Sequence, residues 1–120
     1  MPDLKIEHHS SGFLKDAEYR MHVYPILQEY KGSFGKAASL TVHLNEVPYQ
    51  QLADPPKSNV TISPDGNDIV IHYYNWRYYD NKGRPKKLPL LSEVLQGLRF
   101  WLDRAVADYA GQFPHSVNEM

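Results

Sequence analysis

The sequence contains no cysteine. That excludes a disulfide scaffold, a Cys-ligated zinc centre and a thiol nucleophile. No apolar run approaches the ~18 residues that span a bilayer. The opening residues Met1-Pro2-Asp3-Leu4-Lys5-Ile6-Glu7 lack the apolar core of a signal peptide. Neither sign of charge dominates, since 13 Lys+Arg face 14 Asp+Glu for a net charge of −1. A dedicated nucleic-acid binder usually carries a basic domain, so this balance argues against one. Catalytic signatures are also missing. Gly32-Ser33-Phe34-Gly35 lacks the Gly-Lys-Ser/Thr ending of a phosphate loop, and there is no Gly-x-Ser-x-Gly elbow and no His-Glu-x-x-His pair. No internal repeat or low-complexity tract occurs. The expectation from these absences is a soluble cytoplasmic protein with no catalytic residue, no cofactor and no membrane partner.

What is present is ordinary in bulk. Hydrophobic residues make up 42% and charged residues 22% of 120 residues. A chain of this size buries about two thirds of its unfolded surface, enough to fold as one domain over 1–120 without a metal. Tyrosine is the exception, with 9 copies among 15 aromatic residues. Its apolar ring and polar tip suit half-wet surfaces and interfaces.

Periodicity predicts the elements. Leu4, Ile6 and His8 alternate with Lys5 and Glu7, a short half-exposed strand that Ser10-Ser11-Gly12 ends. The segment from Ala17 to Tyr30 carries two patterns. Leu14, Ala17 and Met21 fit a helical stripe, whereas Tyr19, Met21 and Val23 alternate with Arg20, His22 and Tyr24. Pro25 in the middle favours an edge strand, because proline removes a donor and kinks a helix. Gly32-Ser33-Phe34-Gly35 reads as a hairpin turn. Leu40, Val42 and Leu44 form the clearest strand, and Val60 and Ile62 continue the pattern beyond a proline loop, Leu52–Ser58. Pro64-Asp65-Gly66-Asn67 is a turn, and Ile69, Ile71 and Tyr73 form the next strand, running on toward Tyr79. Leu91, Leu95, Leu98, Leu102, Ala105 and Tyr109 share one face of a long helix that Gly111 and Pro114 stop, leaving a frayed tail over Gln112–Met120.

The expected fold class is α+β: an antiparallel four- to five-stranded meander with one long C-terminal helix packed on one face. One helix covers one face of a sheet. The other must meet water, a partner or a second copy.

That open face is expected to present Arg20, His22, Tyr24, Thr41, His43, Asn45, Thr61, Val70, His72, Tyr74 and Trp76. Two features there can carry function. Three imidazoles, His22, His43 and His72, one per strand, form a candidate metal set with a fourth position for water. Solvent-facing histidines on a polar sheet face are the simpler account. The second feature is the aromatic run His72–Tyr79 followed by Lys82, Arg84, Lys86 and Lys87. Between Arg77 and Lys87 there are five basic residues and one acid, a local +4 on a body that otherwise carries −5. Tyr, Trp and Arg dominate protein hot spots. Rings beside cations also serve single-stranded nucleic acid.

The leading expectation is a small binding protein, of inhibitor or immunity type, that docks on another protein. Its expected contact residues are Tyr74, Trp76, Arg77, Tyr78, Tyr79, Lys82, Arg84, Lys86 and Lys87. The rivals are single-stranded nucleic-acid binding through the same residues and a His-based metal-dependent enzyme. A homodimer through the open face is compatible with each.

Overall fold

The structure is a computed structural model that describes residues 2–9, 16–45, 59–74, 82, 84 and 91–114. The loop expected at Leu52–Ser58 and the continuation of the fourth strand toward Tyr79 lie outside the described residues.

The described elements are strand β1 (Asp3–His9), helix α1 (Asp16–Tyr30), a 3-10 turn (Lys31–Phe34), strands β2 (Ser39–Asn45), β3 (Val60–Ile62) and β4 (Asp68–Tyr74), and helix α2 (Leu91–Gln112). The α+β class is as expected. The sheet is a mixed one of four strands in the order β1-β2-β4-β3, not an antiparallel meander. β1, β2 and β4 run parallel, and β3 pairs antiparallel with β4.

The correction traces to one segment. Ala17–Tyr30 lies in a helix, not a strand. Its buried residues Val23, Ile26 and Leu27 fall at i, i+3 and i+4, the spacing of one helical face. Alternation would have buried Met21 beside Val23, but Met21 is 63% exposed. Pro25 sits inside the helix on its exposed side, where its ring meets no core neighbour. It costs an intrahelical hydrogen bond, and burial of the flanking apolar face outweighs that loss. Parallel strands need a crossover of a dozen or more residues, and α1 supplies it between β1 and β2. The expected hairpin at Gly32–Gly35 is instead the 3-10 turn that follows α1, with Gly35 at φ 54°.

The one hairpin among the described residues joins β3 to β4. Gly66 adopts φ 75°, the left-handed region, and its amide donates to the Ser63 carbonyl at 2.9 Å. The Asp65 carboxylate accepts from Ser63 Oγ at 2.6 Å and from the Asn67 amide at 3.0 Å, and the Ser63 bond in particular holds its pKa below the usual carboxylate range. These bonds account for the oxygen-rich Asp65–Asp68 sequence as a turn.

Both helices bury their stripes on the same side of the sheet. Leu40, Val42, Leu44, Ile69, Ile71 and Tyr73 form one apolar core with Val23, Ile26 and Leu27 of α1 and Val94, Leu98, Leu102, Ala105 and Tyr109 of α2. On α2, Val94 takes the place expected for Leu91 and Leu95, which are half-buried. The helix starts before Ser92 and runs through Gly111, and Phe113 beyond it packs on the core. Arg99 of α2 meets Glu29 of α1 at 2.7 Å, and Tyr30 donates to Asp103 at 2.6 Å. Such exposed pairs set the helices' relative position more than they stabilise it.

Gly97 of α2 packs against the ring of Tyr73 on β4. A Cβ there would meet the Tyr73 hydroxyl and lie 2.9 Å from Cε2 and 3.0 Å from Cζ of its ring. Helix propensity alone favours Gly→Ala by about 1 kcal/mol. Overpacking against a ring buried to 8% exposure opposes it by about 1–3 kcal/mol. We expect Gly97→Ala to lower stability by about 1 kcal/mol in chemical denaturation, the sign opposite to propensity. A more stable variant would show that the ring yields.

Candidate functional site

The face away from the helices is set by strand parity. Glu7, His43 and His72 occupy matching positions on three parallel strands, so they form one row across the sheet. Lys5, Thr41, Val70 and Thr61 form the next row, and Asp3, Ser39 and Asp68 a third. No described helix or strand covers these rows. Among the described residues of these three rows, the charged side chains are Asp3, Glu7, Asp68 and Lys5.

The histidine row is the most ordered polar feature. The rings of His43 and His72 stack with centroids 5.1 Å apart and planes 18° from parallel. The Glu7 carboxylate lies 3.2 Å from His43 Nδ1. The carboxylate is an acceptor beside Nδ1, and a proton held there leaves Nε2 as the lone-pair nitrogen of a neutral ring. Burial, and then the neighbouring His43, hold the His72 imidazole below its ordinary pKa. Ser39 Oγ donates to Asp68 at 2.7 Å in the adjoining row.

The expected residues divide as follows. Thr41, His43, Thr61, Val70 and His72 share the face away from the helices, where Thr61 is exposed, His43, Val70 and His72 are half-buried and Thr41 is buried. The positions of Asn45 and Tyr74 continue its register at the carboxyl ends of β2 and β4. Arg20, His22 and Tyr24 do not belong to it, because they sit on α1. His22 therefore leaves the expected trio: its helix packs on the opposite side of the sheet from His43 and His72. Lys82 and Arg84 are exposed. Trp76, Arg77, Tyr78, Tyr79, Lys86 and Lys87 lie outside the described residues. Among the described residues, no group of three or more His, Asp or Glu is placed to hold a metal ion, and no helix is long and apolar enough to cross a membrane.

Glu7 and Lys5 were missed as face residues. Their alternation with Leu4 and Ile6 was visible, but their neighbours were not. Only the parallel pairing of β1 with β2 brings Glu7 beside His43.

Phe100, at 62% exposure, stands outside this face on α2, its ring edge-on to the half-buried Trp101 at 5.1 Å. Two adjacent helix positions cannot share one face, so Trp101 takes the rim of the core and Phe100 the solvent.

No protein-family model matches this chain, and no curated protein or solved structure is significantly similar to it.

Proposed function

We propose that this chain is a binding protein that docks on the acidic surface of another protein through its open sheet face and the Tyr/Trp/Lys/Arg residues that follow β4. The observation that carries the reading is the one-sided fold. Both helices occupy the same side of the sheet, which leaves Lys5, Glu7, Thr41, Thr61, Val70, His43 and His72 on the other. The chain leaves β4 at Tyr74, at the end of this face, and then carries five basic residues against one acid between Arg77 and Lys87. A local charge of +4 beside aromatic rings complements a cluster of carboxylates on a partner and speeds encounter with it. The absence of a catalytic signature in the sequence supports an inhibitor or immunity-type role, in which occupying a surface is the activity.

Trp76→Ala and Tyr78→Ala are each expected to weaken this docking by more than about 1 kcal/mol, roughly fivefold in affinity. The full chain serves as bait under nuclease treatment, and the affinity of the captured protein is then measured against wild type and both variants. Equal affinities at unchanged melting temperature overturn the surface. Loss of the bound material on nuclease treatment, with affinity falling steeply as salt rises, replaces the reading with single-stranded nucleic acid.

A further inference from the structure

We propose that His43 and His72 form a two-imidazole site for a divalent transition cation of the Zn²⁺ type, with Glu7 holding His43 from behind. The site lies on the face that the docking reading uses, but it rests on the register of β2 and β4 and not on that reading. Parallel register sets the two residues side by side on β2 and β4, with ring centroids 5.1 Å apart. A ligating nitrogen lies about 1.1 Å from its ring centre, and zinc about 2.0–2.1 Å beyond it. Two arms of about 3.2 Å closing over a 5.1 Å base meet at about 105°, close to the tetrahedral angle. The rings are stacked, so each turns toward the shared ion about Cβ–Cγ, a broad torsion in histidine. That turn takes place on the face opposite the core.

One further feature agrees. The Glu7 carboxylate 3.2 Å from His43 Nδ1 is the outer-shell partner that a metal-ligating imidazole typically has, and it leaves Nε2 as the donor atom. Imidazole selects Zn²⁺, Ni²⁺ or Cu²⁺ over Mg²⁺ and Ca²⁺.

The test is calorimetric titration of Zn²⁺ into the untagged, chelator-stripped full chain at pH 7.5. One saturable site per chain is expected. His43→Gln and His72→Gln each weaken it at least tenfold, and Glu7→Gln weakens it by about tenfold. His22→Gln and the double variant His8→Gln/His9→Gln leave it within about twofold, and Mg²⁺ does not compete. Circular dichroism checks the fold of every variant. The proposal is overturned if wild type has no such site, if the site survives both single changes at His43 and His72, or if it is lost in the His8/His9 variant. Should a Gln variant fail to fold, ring-proton NMR of wild type decides. Joint shifts of the His43 and His72 rings at one equivalent support the site, and shifts confined to other histidines overturn it.

Discussion

Replacing Phe34 by Ala is expected to destabilise the domain by about 3–5 kcal/mol. Phe34 sits in the 3-10 turn after α1 and is fully buried. Its ring packs edge-to-face on Tyr109 of α2, with centroids 5.7 Å apart and planes at 77°. The change removes the transfer free energy of a phenyl ring, leaves a cavity and deletes an aromatic pair. A domain of this size has about 5–15 kcal/mol in all, so the variant loses a large share of its stability. Its melting temperature falls on the order of 10–20 °C. Phe34→Leu keeps most of the volume and is expected to lose less than half as much. A Phe34→Ala loss below about 1 kcal/mol would mean that the turn does not pin α1 to α2.

The second large effect separates the two readings of Ala17–Tyr30. Leu27→Ala is expected to cost about 2–5 kcal/mol, because Leu27 is fully buried in the shared core. Met21→Ala is expected to cost less than about 0.5 kcal/mol, because its side chain is 63% exposed. Strand alternation puts Met21, Val23 and Leu27 inward together and so predicts comparable losses for both variants. Paired denaturant titrations of the two variants distinguish the patterns. Equal losses would contradict the helical register of α1.

Much of the architecture was legible from periodicity. β2, β4 and α2 were identified because their apolar residues repeat cleanly, at two for Leu40, Val42 and Leu44 and at helical spacing for Leu98, Leu102, Ala105 and Tyr109. Asp65-Gly66 marked the β3–β4 turn because the required left-handed backbone is a local property. Of the alternating strand residues Leu40, Val42, Leu44, Val60, Ile62, Ile69, Ile71 and Tyr73, all are buried except Ile62, which is partly buried.

The site was legible in part. Odd and even positions placed His43 and His72 on one face of their strands, since side-chain direction follows from pleating alone. Their partners were not accessible that way. Glu7 lies 36 positions before His43 in the chain, and no local signal says that β1 runs beside β2 in parallel.

The amino-acid order by itself determined which residues are apolar, where they recur, where the chain turns, and where the charge of +4 between Arg77 and Lys87 lies. These are local quantities, carried by side-chain chemistry and by the permitted backbone angles of a few residues. Tertiary structure alone decided the competition within Ala17–Tyr30. There Pro25 and the alternation of Tyr19, Met21 and Val23 point to a strand, while burial of Val23, Ile26 and Leu27 against α2 and the sheet favours a helix. That choice turned a meander into a crossover, made three strands parallel, removed His22 from the histidine set and put Glu7 in its place beside His43. Packing free energy belongs to pairs of segments far apart in the chain, so it is settled only when the whole core assembles.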